Sequence, residues 1–471
     1  MPRQNRRRFA PATILHDNLY NQTHSSCHMP LPMPNYTSEA LSEFIKAVQD
    51  TKPLNIADPA DAARYVAHLQ GPRNALGRLK SEITHQDGDG VYLFTGQIGS
   101  GKSTELLRLK KELEGPQCKV YYCDLGDWLN LSAPIDLVSM LLGLVSSWIE
   151  AVGVVGRTRR TPIERLTDFL TRTNINLDKI NLGADIGVAK TQIQLALKTD
   201  EAFRAGLEQT LKNNVAGFVS QAHRFVAELV ADICPHGEKC VLIADSLEKI
   251  RGYGAESEKV YESVERLFLS EGAALRLPSV HVVYSVSPFL LAQNPHLPGI
   301  LGQGVVVNMP SVHVFKKRSA ALDPEGVQQM TNLLALRYAA WAKFFTPAFL
   351  ERLIHDSGGD LRDYLRAIKV VLLEMEAEPD AGEDELLSVV HSQISPPKLV
   401  PTADIAWMAR LERSHDPELD DKVNSLAFQR YLATKHVLAY LNGDAWYAIH
   451  PLLRDWVMAR PEAQPAQPAA H

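Results

Sequence analysis

VYLFTGQIGSGKSTELL, residues Val91 to Leu107, is the stretch from which the rest of the chain can be read. Val91, Tyr92, Leu93 and Phe94 form a short apolar run, expected as a buried strand. Gly96, Gln97, Ile98, Gly99, Ser100, Gly101, Lys102 and Ser103 then fit the pattern G-x-x-x-x-G-K-[ST], with Thr104 directly after. From Ser103 to Glu114 the leucines 106, 107 and 109 and the polar Lys110, Lys111 and Glu112 have helical spacing. Strand, glycine-rich turn and helix is the order a phosphate-binding loop demands. Its glycines let backbone N–H groups converge on one point, and the helix adds its positive end. Lys102 is then expected to reach the outer phosphates of a nucleotide, and the Ser103 hydroxyl to ligate Mg²⁺.

The chain has 471 residues, enough for about two to four domains. Apolar residues make up 45% and charged residues 22%, as in a packed globular protein. A net charge of −6 argues against a protein-wide surface for polyanions, though not against a local patch. No run of about 18 apolar residues and no signal-peptide core stand out, so a cytoplasmic protein without a membrane span is expected. The five cysteines are scattered and include no C-x-x-C pair. Cys118, Cys123 and Cys240 lie in or beside apolar runs and read as small hydrophobes rather than zinc ligands.

Further apolar runs at Lys119–Leu125, Cys240–Ala244, Ser279–Val286 and Gly304–Met309 alternate with helical patterns. That alternation implies an α/β fold, a parallel sheet sandwiched by helices. Residues 1–37 read as a disordered tail containing Arg3, Arg6, Arg7 and Arg8, and 38–322 as the sheet domain, with helices at Ser38–Gln49 and Asp58–Glu82. Within it, 157–236 is expected as a helical insertion, with one strand perhaps at Ile180–Ile186 and a long helix over Glu201–Ile233. Residues 323–395 read as a helical lid, its first helix running Pro324–Phe345. Residues 396–459 combine helices with a hairpin turning at Asn442-Gly443-Asp444, the order of a winged helix, and 460–471 form a disordered tail.

Asp245 ends an apolar strand, where a carboxylate can hold Mg²⁺ beside Ser103. Glu248, three residues on, is a candidate to activate water. Ser285, at the end of a neighbouring strand, is a candidate to bond the phosphate or that water. Arg362 opens a helix after Gly358-Gly359-Asp360, an unfavourable place for a cation, which points to an anion nearby. His450 follows the hairpin and is a further candidate for contact with nucleotide.

Together these residues resemble the AAA+ and related STAND ATPases. The resemblance implies a P-loop NTPase fold with a helical insertion, lid and winged-helix-like terminal domain. It makes the loop at Gly96–Thr104 Walker A, Asp245 Walker B, Ser285 sensor 1 and Arg362 sensor 2. The Gly358–Arg362 segment is similar to the lid of origin-recognition proteins. The Asp245…Glu248 spacing and Ile449-His450-Pro451 look closer to STAND switches, whose histidine senses bound ADP. The segment 288–304 has no Arg or Lys, so the usual finger residue is absent. What the family implies is an ATP-hydrolysing conformational switch that uses ATP and Mg²⁺, with antiphage defence or signalling as its setting. Its partner would be another protein or further copies of itself. The alternative is an ATP-gated DNA-binding or DNA-loading ATPase. Asp420 and Asp421, with only Lys422, Arg430 and Lys435 near, leave the expected recognition helix poor in positive charge for that role.

Overall fold

The computed structural model describes residues 36–49, 52–67, 69, 75–155, 160–173, 186–211, 214–252, 257–301, 306–419, 422–442 and 444–464. The arginine tail, most of the strand expected at 180–186, and Asp420 and Asp421 fall outside them. The apolar runs become five strands: β1 Gly90–Thr95, β2 Cys118–Asp124, β3 Lys239–Asp245, β4 His281–Val286 and β5 Val306–Asn308. All pair in parallel, in the spatial order β2-β3-β4-β1-β5. Alternate residues serve two cores. Val91, Leu93, Leu242, Val282 and Tyr284 pack with Trp148 on one face. Tyr92, Phe94, Val241, Ile243 and Val283 pack with Leu79, Ile83, Leu106 and Leu109 on the other. Burial on both faces is why these strands read as unbroken apolar runs.

The helix Leu137–Val155 is apolar nearly all round, and such a helix must be enclosed. The insertion encloses it: Phe169, Phe218, Phe225 and Val226 join its Leu141, Val145 and Trp148 in the same core as the sheet. Among the described residues no helix is long and apolar enough to cross a membrane. The single helix expected over Glu201–Ile233 is two, Glu201–Leu211 and Val215–Ile233, the second preceded by Asn214. Asparagine competes for local backbone bonds and favours helix ends over interiors. The one expected at Asp58–Glu82 is likewise two, Pro59–Ala63 and Ala75–His85, with Gly71-Pro72 between them in the sequence.

The lid consists of helices Pro324–Arg337, Pro347–Ser357, Leu361–Ala377 and Glu383–Ile394. Its first helix ends at Arg337 rather than Phe345, and a short 3-10 turn, Trp341–Lys343, follows. Helix Ser38–Gln49 packs on the lid and not on the sheet: Leu41, Phe44 and Val48 sit in the lid core, and Phe44 stacks on Tyr338 with ring centroids 4.3 Å apart. Beyond the lid come helices Thr402–Ser414 and Lys422–Ala433, the antiparallel hairpin β6 Val437–Asn442 and β7 Asp444–Ile449, and helix Pro451–Met458. The hairpin is shared. Leu438, Tyr440 and Trp446 enter the lid core, while Val437 and Ile449 join the core of the sheet domain.

Candidate nucleotide site

The phosphate loop leads from β1 into helix Lys102–Leu113, with Gly101 at the helix start. Gly99 has φ +99°, and a Cβ there would lie 2.4 Å from Asp360 Oδ2, so both conformation and space require glycine. Lys102 is buried, and a buried ammonium needs partners. Its Nζ donates to Gly96 O at 2.7 Å and to Gln97 O at 2.9 Å, and lies 3.5 Å from Glu248 Oε1. Burial lowers the pKa of this ammonium; Glu248 and Asp245 oppose that shift.

Glu248 stands on the turn Leu247–Lys249 beyond β3. Ser246, which enters that turn, has φ 79°, a left-handed conformation uncommon for a residue with a Cβ. The turn aims the Glu248 carboxylate into the protein, where Ser285 Oγ donates to its Oε2 at 2.7 Å. Lys102, Glu248 and Ser285 thus form one buried polar chain drawn from three separate elements.

Asp245 closes β3 and is fully buried. Its Oδ1 accepts from Ser246 N at 2.7 Å, and its Oδ2 from the Tyr122 hydroxyl at 2.5 Å. Burial first, and then Asp245, push the Tyr122 pKa far up, so the phenol stays a donor. Tyr122 of β2 thus fixes the carboxylate expected to share Mg²⁺ with Ser103, and nothing in its strand pattern singled it out. A hydroxyl and a carboxylate at this place are hard oxygen donors of the kind that suits Mg²⁺ when water and phosphate complete the shell.

A pocket opens beside the loop. Ile98, Gly99, Gly101, Lys102, Ser103 and Thr104 form its floor, with Glu248 at the side. Arg362 and Arg337 enter from the lid. Leu54, Val66, Leu69, Leu333, Leu361 and Leu365 make an apolar wall suited to a planar base. The segment carrying Leu54 and Tyr65 is tied to the phosphate-loop helix: Leu54 N donates to Thr104 Oγ1 at 3.1 Å, and the Tyr65 hydroxyl to Glu105 Oε1 at 2.7 Å. Sequence reasoning missed this wall because it read Asp58–Glu82 as helix. The available signals were Pro53, which breaks the preceding pattern, and Asp58, which caps Pro59–Ala63. Arg337 was missed because it lies at the end of a helix expected to continue.

Other expected residues go elsewhere. Gln97 does not line the pocket. Its amide donates to Leu432 O at 3.3 Å and Val437 O at 2.8 Å, and accepts from Ala439 N at 2.8 Å. Gly96 and Ser100 shape the loop from behind, the former through the carbonyl that holds Lys102. His450 is fully buried, lies outside the pocket and caps helix Pro451–Met458, accepting from Leu452 N at 3.3 Å. Burial drives its pKa down to about 3. Asp360 caps the helix that carries Arg362, accepting from Arg362 N at 3.0 Å and Asp363 N at 2.9 Å.

No protein-family model matches the sequence, and no curated protein matches it. Among solved structures, the chain is similar to the ADP form of the ORC2 protein of Aeropyrum pernix, at 13% identity and a TM-score of 0.39, over 88% of this chain and 96% of that one. It is similar to Cdc6p from Pyrobaculum aerophilum at 11% identity and a TM-score of 0.31, over 84% and 97%. A chain of Drosophila ORC bound to GC-rich DNA and Cdc6 gives 13% and 0.35, over 90% of this chain and 56% of that one. By its own strand order, phosphate loop, lid and terminal hairpin, the chain has an α/β fold: a parallel sheet carrying a phosphate loop and sandwiched by helices, with a helical lid and a winged-helix-like terminal domain.

Proposed function

We propose that the protein is an ATP-binding and ATP-hydrolysing conformational switch. The buried chain from Lys102 through Glu248 to Ser285, set at the floor of a pocket that the lid covers with Arg362, carries this reading. Lys102 exchanges its backbone carbonyl partners for phosphate oxygens when nucleotide enters. Glu248, oriented by Ser285, accepts a proton from the attacking water. Arg362 ties occupancy of the outer phosphate to the position of the lid. Ser103 and Asp245 would hold Mg²⁺, which would supply charge neutralisation on the phosphates. Two settings follow from the sequence. The DNA-binding or DNA-loading one has the winged-helix-like terminal domain in its support, and no residue of the site adds to antiphage defence or signalling.

Isothermal titration calorimetry with Mg-ATP tests the core of this. The parent protein should give heat, and Lys102→Ala should give none. Glu248→Gln should still bind while turnover falls by about 10²- to 10⁴-fold, the usual worth of a positioned general base. Folded parent protein that takes up no Mg-ATP overturns the proposal.

A further inference from the structure

A lysine of the terminal domain reaches a carboxylate that abuts the phosphate loop. Lys435 lies between helix Lys422–Ala433 and β6, and its backbone has φ 59°, in the left-handed region. A residue with a Cβ is held there only when its surroundings over-determine it. Its Nζ sits 2.8 Å from Asp360 Oδ2 and 2.7 Å from Asp363 Oδ2, with little of the side chain exposed. Asp360 is the same carboxylate that presses against Gly99 of the loop. Burial pushes the Lys435 pKa down, but the two carboxylates more than offset this, so the ammonium stays charged.

The electrostatic consequence is direct. Two carboxylates and one ammonium leave a net negative triad against the floor of a site built for an anion. A phosphate on the loop meets the Asp360 charge across a short, water-poor gap, where screening is weak. Lys102 also faces Asp360 and Arg366 also faces Asp363, but Lys435 is the cation in contact with both carboxylates. Arg362 lies on the same helix but is exposed in the pocket.

We propose that Lys435 is a nucleotide-site residue supplied by the terminal domain: it neutralises Asp360 beside Gly99 and so sets the affinity of the phosphate loop for polyphosphate. Gln97 fixes the approach, because its amide is saturated by Leu432, Val437 and Ala439 on either side of Lys435. The site is therefore complete only while the terminal domain is docked. This deepens the proposed function and rests on it.

Calorimetry with Mg-ATP and with ADP, at fixed ionic strength, tests it. Lys435→Met should weaken binding by roughly tenfold or more, and Lys435→Arg should restore much of it. Asp363→Asn, which removes one carboxylate and disturbs no loop residue, should tighten binding in the parent and recover part of the loss in Lys435→Met. Gln97→Ala loosens docking without changing charge, and Asp363→Asn should not rescue it. Parent affinity in both Lys435→Met and Asp363→Asn overturns the inference. So does a Lys435→Met loss that equals that of Gln97→Ala and ignores Asp363→Asn, since docking alone would then account for it. Should Lys435→Met fail to fold, Asp363→Asn decides by itself: tighter binding supports the inference and unchanged binding ends it. A parent that binds no nucleotide would instead overturn the switch reading.

Discussion

His450 is the residue whose burial has the plainest consequence. Its ring is fully enclosed, near Lys435 and His436, and in the folded protein it stays neutral down to about pH 3. In the unfolded chain an imidazole takes up a proton at about pH 6.5. Between those values the unfolded state therefore binds more protons than the folded one. The contribution of His450 to stability is full above about pH 6.5 and shrinks as the pH falls below it. Urea denaturation of the parent should show a midpoint that drops between about pH 7 and about pH 5, and His450→Asn, which can keep the cap, should show a flatter profile. Parallel profiles would refute this assignment. The same burial makes His450 a helix cap in this structure rather than a pocket residue.

Among the elements, the junction between the second and third lid helices is the least forgiving. Helix Pro347–Ser357 ends with Gly358 left-handed at φ 59°, and Leu361–Ala377 begins after Asp360. Between them Gly359 has φ +82°, and a Cβ there would stand 2.1 Å from Val312 O. The Gly359 carbonyl in turn accepts from Val312 N at 3.0 Å, fixing the lid to the chain that leaves the sheet. Gly359→Ala should cost about 1–3 kcal/mol, through a strained backbone and the displaced strap. It should also weaken nucleotide binding, because Arg362 and Asp360 move with this helix. A denaturation midpoint equal to that of the parent would show that the junction yields freely.

Across the whole molecule, the terminal domain spans the sheet domain and the lid. Helix Lys422–Ala433 lies on helix Pro288–Gln293, where Gln429 Nε2 donates to Gln293 Oε1 at 2.6 Å and Gln293 Nε2 to Ser425 O at 3.1 Å. Phe428 and Leu432 are buried on this helix, so a winged-helix contact with DNA through that face requires the domain to leave. A switch of this design should show it. Amide hydrogen exchange over 422–433 and 437–449 should be slower with a non-hydrolysable ATP analogue than with ADP, because a site completed by Lys435 holds the terminal domain docked. DNA affinity, where present, should be lower in that docked state than with ADP, and should fall steeply with salt. Equal exchange with both nucleotides would mean that the terminal domain does not respond to the site.

What the sequence determined by itself is whatever is local in the chain. The loop at Gly96–Ser103 is one contiguous stretch whose residue types answer to one anion, and two-faced burial writes each sheet strand as an apolar run. The order of sheet, lid and hairpin was legible for the same reason. Only the tertiary structure decided which side chains meet. It brought Glu248 to Lys102 and Ser285, set the Tyr122 hydroxyl on Asp245, and sent Gln97 and His450 away from the pocket. It also showed helix Ser38–Gln49 lying on the lid. Hydrophobic periodicity records that a face is buried but not against what, and a polar side chain carries no mark of its partner until packing has removed water from both.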